Sequence, residues 1–418
     1  MIILSIFKKA DILIPQNVDF KKWSVVACDQ YTSQPEYWKE VEDFVLDAPS
    51  TLKITFPEVY LSEGDKRIEK INKTMDEYLN ADIFTKLPKS LIYVERTINS
   101  KVRKGIIGAI DLEEYDFTKG SESQVRATEG TVLERIPPRV KIRENAPLEL
   151  PHVMILIDDK DRDIIEALAE KKAQFKKIYD FELMQNSGHL EGYLIPEDMA
   201  DEIIKKLDLL ASSKSFETRY KISDKKPLTY AVGDGNHSLA TAKTCWENLK
   251  KTLSADEISN HPARYALCEL ENIHDDALEF EPIHRVVFDV DPEELLKELK
   301  NFYEISDTPT EQSIRYITKD QEGELFIKNP KSKLTVGTLQ IFLDEYLKDH
   351  KGSIDYIHGD DVCKNLGKNA GNIGFILPPM EKSQLFTGVI ADGALPRKTF
   401  SMGEAFEKRF YLEAKLIK

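Results

Sequence analysis

LTYAVGDGNHSLATAKTCWENLK, residues 228–250, joins two periodicities across a turn. Leu228–Val232 is an apolar run with strand character. It stops at Gly233-Asp234-Gly235-Asn236, a run of turn formers. Beyond it Leu239, Ala242, Trp246 and Leu249 recur at near-helical spacing. The segment predicts strand, tight turn, helix, with His237 and Ser238 in the first helical turn. Such a turn aims backbone N–H groups, a positive helix end and a histidine at one small volume. That favours an anion, above all a phosphate. A second reading stands beside it: an ordinary hairpin or loop turn, with Asn236 as a helix N-cap.

The chain around this segment has 418 residues, 41% hydrophobic and 31% charged, which suits two or three globular domains with a sizeable core. Its net charge is −15, where a nucleic-acid binder normally carries a basic surplus, so duplex DNA and RNA are not expected partners. The four cysteines, Cys28, Cys245, Cys268 and Cys363, form no CxxC pair, which argues against a zinc knuckle or dithiol motif. Cys28, beside Val25-Val26-Ala27, reads as core rather than nucleophile. MIILSIFKKADILIP at the N-terminus places its lysines after a short apolar stretch, the reverse of a secretory signal. No segment approaches ~20 apolar residues. A cytoplasmic protein with no membrane span is expected.

Outward from the turn, residues 36–47 and 65–80 read as helices, the second with Ile68, Ile71, Met75 and Leu79 on one face. Leu91–Thr97 and Gly105–Asp111 read as paired strands joined near Asn99-Ser100. Residues 121–149 are irregular and proline-bearing, a long functional loop. Residues 152–157 read as a strand. Residues 161–179 read as a charged helix burying Ile164, Ile165, Leu168 and Phe175. Tyr265–Leu270 and Val286–Val290 read as strands of the same core. A boundary is expected near Asp291-Pro292, dividing a composite core (1–290) from a smaller C-terminal α/β domain (291–418). Interleaved strands and helices give a mixed α/β fold class.

Four places could carry chemistry. In the turn, Gly233 and Gly235 let backbone approach a ligand. Asp234 can take a hydroxyl proton or hold a metal, and His237, Asn236 and Ser238 offer polar contacts. The second place is a basic stretch, Arg126, Arg135, Arg139, Lys141 and Arg143. Pro137-Pro138 argues against a regular helix through it, and a rigid loop of arginines suits phosphate or carboxylate. Pairing with Glu129, Glu134 and Glu144 on a surface loop is the equal alternative. The third is Glu95-Arg96, a base beside an anion clamp at a strand end, or a cross-strand ion pair. The fourth comprises His274-Asp275-Asp276, which suggests a metal site, and His284-Arg285, substrate contacts or satisfied core groups. No Walker A, GxGxxG or GxSxG framework occurs.

Several long motifs resemble one bacterial family, domain of unknown function 1015. They are WSVVACDQYTSQPEYW (23–38), VERT (94–97), GIIGAIDLE (105–113), RATEGTVLERIPPRVKIRENAPLELPHV (126–153), YAVGDGNHSLATAK (230–243), LEFEPIHRVVF (278–288), IDYIHG (354–359) and LPRKTFSMGEAFEKRFYLEAK (395–415). The family's central Asp-Gly-His-His-Arg run is similar to the phosphate turn of the ParB/sulfiredoxin superfamily, which includes free-serine kinases. Asp234, Gly235 and His237 match that run; Asn236 and Ser238 depart from it. Arg126, Arg135 or Arg139 would supply the arginine's charge.

The resemblance implies a ParB/sulfiredoxin-like core and phosphoryl transfer between ATP or ADP, with Mg²⁺, and serine or phosphoserine. Asp234 or Glu95 would act as base or metal ligand. Glu129, Arg96, His284 and Arg285 are further candidate substrate contacts. A homodimer is compatible with it. Two alternatives stay open: a non-catalytic nucleotide-sensing or protein-binding module, and a metal-dependent phosphohydrolase using Asp234, His237 and His274.

Overall fold

The computed structural model describes residues 5–118, 120–151 and 153–418. His152, where the expected strand 152–157 begins, and residues 1–4 lie outside the described residues. The chain divides into two compact units, residues up to Leu278 together with Gly403–Lys418, and Glu279–Met402. The expected boundary at Asp291 falls inside the second unit. The architecture is mixed α/β, and among the described residues no helix is long and apolar enough to cross a membrane.

The first unit is built on a ten-stranded mixed sheet. Its central strands, in spatial order, are Ile92–Ile98, Lys101–Asp111, Tyr265–Asn272, Met154–Ile157, Tyr230–Asp234 and Val125–Ala127. Ile92–Ile98 and Lys101–Asp111 form the expected hairpin, Ile98 opposite Lys101. Asn99 and Ser100 both adopt positive φ (47° and 68°), as a two-residue turn matched to strand twist requires.

Alternation then sorts side chains to two cores. Tyr93, Ile106, Ile155, Tyr230 and Val232 face one side, covered by Leu239, Ala242 and Trp246 of the helix Asn236–Lys250. Ile92, Val94, Ile107, Ala109 and Leu267 face the other. There they meet Trp23, the helix Gly64–Asn80 and the returning tail residues Tyr411, Leu412 and Ala414.

Three expectations are corrected. Residues 161–179 are not one helix: Glu166–Ala169 makes a single turn, and Lys176–Glu182 is a strand paired with His189–Leu194. The apolar spacing was compatible with a helix, but pairing with a strand further along the chain outweighs it. Pro137-Pro138 do not prevent a helix: Ile136–Arg143 is one, with the prolines in its first turn. There an N–H has no intrahelical partner to lose, and the fixed φ is already helical. Tyr265–Leu270 and Val286–Val290 do not share a core. The second belongs to the strand Phe280–Phe288, which pairs with Ser353–His358 and Ile373–Ile376 in the second unit's seven-stranded sheet. The helix expected after Asp291 is present as Pro292–Phe302, capped by the Asp291 side chain.

Ser100→Gly should stabilise the first unit by on the order of 1 kcal/mol, the usual cost of a left-handed non-glycine residue. Denaturant melting should show a higher midpoint with an unchanged slope. A midpoint at or below the parent's would mean that the hairpin does not bear this strain.

Candidate functional site

The turn begins with an irregularity. Val232 lies opposite Ile155, yet Asp234 lies opposite Met154, so Gly233 is an extra residue in the ladder. Val232 and Asp234 would otherwise share a face; the bulge turns Asp234 onto the face of Met154 and Glu269. Gly235 follows at φ 79° as the N-cap. A Cβ there would sit 3.0 Å from the Val153 Cα, so conformation and space both call for glycine. Asn236 is thus the first helical residue rather than the cap, and it is buried with its Oδ1 unpartnered. His237 lies in the first helical turn, and the Val132 N–H donates to its Nε2 at 3.3 Å. That contact requires Nε2 to be unprotonated.

Ser238 faces a cavity of about 410 Å³ that Arg135, Arg139 and Arg143 also line. Of the turn, Ser238 alone lines this cavity with the arginines; Asp234 lines a different space, and Arg126 lines neither. The helix Ile136–Arg143 brings its arginines beside the helix Asn236–Lys250. Arg139 pairs with Glu58, whose carboxyl burial holds above its ordinary range despite that partner. Arg143 pairs with Glu149. Arg135 is exposed, and its own carbonyl accepts from the Arg139 Nη1 at 3.0 Å. The rest of the wall is largely apolar, including Phe56, Ile71, Met75, Leu148 and Leu150. Cys28 lines it too; burial pushes its thiol up to about 12, which leaves no thiolate nucleophile near neutral pH.

Asp234 faces a second, smaller space of about 20 Å³, room for one water-sized group. Its Oδ1 accepts from the Gly235 N–H at 2.8 Å, and its Oδ2 meets the Lys408 Nζ at 3.0 Å. Lys408 arrives on the tail, which is held by the Ala27 N–H to the Lys408 carbonyl (2.7 Å) and the Phe410 N–H to the Val25 carbonyl (3.0 Å). Burial alone would lower the Lys408 ammonium; Asp234, Asp29 and Glu129 outweigh it and raise it.

Behind Lys408 lies a buried polar layer between sheet and tail. The Arg103 Nε is 2.9 Å from the Glu271 carboxylate, and its Nη2 donates to the Tyr411 hydroxyl at 2.8 Å. Glu269 lies 3.5 Å from the same guanidinium. Burial drives the Glu271 carboxyl well above its ordinary range.

The other candidates lie elsewhere. Glu95 and Arg96 are inside the strand Ile92–Ile98, not at its end, and alternation sends them to opposite faces. Glu95 accepts from the Tyr93 hydroxyl and pairs with Lys172. It therefore lies across the sheet from the side that Asp234 faces. Arg126 is buried against the carbonyls of Ser123, Lys226 and Pro227. His284 and Arg285 belong to the second unit. His284 is held between Asp360 and the Leu377 N–H, and Arg285 binds the carbonyls of Ile283, Arg397 and Lys398. His274 pairs with Asp158, and Asp276 with Arg162. Among the described residues, no group placed to close around a metal contains Asp234, His237 or His274.

Sequence reasoning missed Lys408, Arg409, Arg103, Glu269 and Glu271. A signal for the last two existed. Cys268-Glu269-Leu270-Glu271 repeats a carboxylate at period two inside an otherwise apolar strand, so both point to one face of a covered sheet.

Glu413, also in this layer, accepts from the Tyr179 hydroxyl at 2.7 Å. Burial pushes its carboxyl up to about 7. The fold thus favours the protonated acid. Its contribution is full below the unfolded value of ~4.3 and is lost as pH rises through about 7. Glu413→Gln should gain on the parent by up to about 3 kcal/mol between pH 5 and pH 8 in denaturant titrations. A difference that stays constant or shrinks over that range would refute the assignment.

Comparisons with known proteins follow this geometry. No curated protein matches the sequence. The chain is similar to a mutant free serine kinase solved with AMP, at 12% identity and a TM-score of 0.39, over 76% of this chain and 93% of that one. It is similar also to a conserved hypothetical protein from Pyrococcus furiosus, at 11% identity and a TM-score of 0.37, over 76% and 96%. A C-terminally truncated SbnI from Staphylococcus aureus matches at 8% identity and a TM-score of 0.37, over 71% and 82%. The profile of a protein family of unknown function, DUF1015, matches residues 13–346, and the chain belongs to that family.

Proposed function

We propose that this protein transfers a phosphoryl group between a nucleotide and a small hydroxy amino acid, serine or its phosphate. The observation that carries the reading is the cavity of about 410 Å³ where the N-terminal turn of the helix Asn236–Lys250 meets Arg135 and Arg139. Its size suits a nucleotide. Its apolar wall suits a base, and its cationic end suits phosphates.

Transfer of this kind is mostly positioning and charge neutralisation. The backbone N–H groups at Asn236–Ser238 and the Ser238 hydroxyl would hold phosphate oxygens. Arg135 and Arg139 would offset their charge. Asp234, turned inward by the bulge at Gly233, would accept the hydroxyl proton of the acceptor or hold that hydroxyl in line. Lys408 keeps Asp234 paired until substrate arrives. Mg²⁺ fits this site with one protein carboxylate, Asp234, because such ions commonly take their other oxygens from phosphates and water. Bound there it would neutralise phosphate charge.

One observation favours a second reading, nucleotide binding without turnover: the Asp234 carboxylate is already engaged by Lys408 and the Gly235 N–H.

The test has two stages. Thermal shift and calorimetry with ATP or ADP, with and without Mg²⁺, should show binding, and Arg135→Ala with Arg139→Ala should weaken it roughly tenfold or more. With serine or phosphoserine added, phosphate transfer should fall roughly 100-fold or more in Asp234→Ala and in His237→Ala. Absence of nucleotide binding at millimolar concentration overturns the whole reading. Binding without transfer leaves only the second reading.

A further inference from the structure

Helices of this chain repeatedly place opposite charges four residues apart: Lys39–Asp43, Arg67–Glu63, Lys73–Glu77 and Lys243–Glu247. Glu294 and Glu298 do the reverse on the helix Pro292–Phe302, and like charges at that spacing destabilise a helix. The positive helix end offsets Glu294, which lies in the first turn, but Glu298 lies beyond it. Among the described residues, neither carboxylate has a lysine or arginine at ion-pair distance; the partner of Glu298 is His350. His350 ends the helix Thr335–Asp349, which packs on Pro292–Phe302 with Phe342 edge-on to Phe302 at 5.5 Å. One ligand atom from each of Glu294, Glu298 and His350 lies within 4.8 Å of the others.

The imidazole is oriented before any ion arrives. Its Nδ1 lies 3.0 Å from the Tyr346 carbonyl oxygen. A carbonyl only accepts, so Nδ1 carries the hydrogen, and in the neutral ring Nε2 carries the lone pair. The ring also stacks on that of Tyr346, centroids 4.0 Å apart and planes 1° from parallel, and Tyr346 is itself buried. Nε2 stands 3.2 Å from the Glu298 carboxylate. A ring nitrogen bonded to a backbone carbonyl is the device that fixes tautomer and direction in metal-ligating histidines. A proton on Nε2 answers one carboxylate; a divalent ion among the three answers both. The other described group of converging ligands, Asp180, His189 and Glu191, differs on this point. There the Lys177 ammonium already pairs with both carboxylates.

The geometry points to a divalent transition-metal site of the zinc class, built by Glu294, Glu298 and His350. One imidazole with two carboxylates suits Zn²⁺, whereas Mg²⁺ and Ca²⁺ prefer oxygen ligands alone. Three protein ligands leave a position for solvent. The ion ties the first two turns of Pro292–Phe302 to the end of Thr335–Asp349, both within the second unit. The site goes beyond the phosphoryl-transfer reading and stands or falls without Asp234.

Titration of the chelator-treated chain with Zn²⁺ and with Co²⁺, without nucleotide, tests the site. Zn²⁺ should bind the parent and raise its Tm, and Co²⁺ should give visible d–d absorption. His350→Gln and Glu298→Gln should each weaken Zn²⁺ binding roughly tenfold or more and lose the Co²⁺ band. Glu294→Lys should lose binding as well, yet its metal-free Tm should be at or above the parent's, because a like-charge pair becomes an opposite one. That variant separates a lost ligand from a damaged fold. His189→Gln, in the group that holds Lys177, should leave the titration unchanged. No binding by the parent at roughly 100 µM free metal overturns the site. Binding that survives in both His350→Gln and Glu298→Gln does the same. Mg²⁺ that displaces Zn²⁺ at equal concentration overturns the metal class. A loss in His189→Gln as large as in His350→Gln places the ion elsewhere and overturns the assignment. A Glu294→Lys chain that melts well below the parent without metal marks a structural carboxylate and overturns it too.

Discussion

The extra residue at Gly233 decides what the turn can do. A regular ladder would leave Asp234 on the face of Val232, against the apolar core beneath Trp246. One unpaired residue reverses that and sets Asp234 in a row with Met154 and Glu269, facing the tail. Bulges next to functional sites commonly re-aim a side chain in this way. The same glycine pair that permits the bulge and the left-handed N-cap also starts the helix whose first turn looks into the larger cavity. Two spaces therefore flank one turn, and Pro151 and Val153 line both.

The second constraint is the tail. Residues from Gly403 onward return to the first unit and cover its charged layer. Tyr411 and Glu413 enter that layer from above; Arg103, Glu269 and Glu271 enter from the sheet. An apolar layer of similar volume would hold the tail at least as well, because buried ion pairs seldom outweigh their desolvation. The layer contributes something other than stability: fixed charge beside Asp234. Its arginines, carboxyls and hydroxyls are shifted by burial in opposing directions, a pattern that functional sites concentrate.

How much of this the sequence revealed depended on range. The hairpin at Asn99-Ser100 and the strand, turn and helix of 228–250 rest on contacts between near neighbours, and local pattern finds them. The strand Lys176–Glu182 does not, because its alternation competes with a helix-like spacing upstream and pairing decides. Pro137-Pro138 misled for a different reason. The rule against proline applies to a helix interior, and these stand at its start. The candidate site was half visible. Ser238, Arg135 and Arg139 line one cavity, while Asp234 faces a different space across the same turn. Arg409 bonds to Ser24 across 385 positions, and nothing near either residue in the chain announces the partner.

The charge of the chain makes sense of this arrangement. At −15 the molecule repels anions at long range, so any anion it holds must be held by local cations. Exposed pairs such as Lys39–Asp43 and Lys73–Glu77 neutralise themselves and are screened by salt. Among the described residues, two guanidiniums with no carboxylate at ion-pair distance, Arg96 and Arg409, are buried. There a guanidinium acts at a lower effective dielectric and keeps much of its field. On such an acidic surface, selection of an anion would rest on where the fold places its cations. That selectivity comes from position and not from net charge.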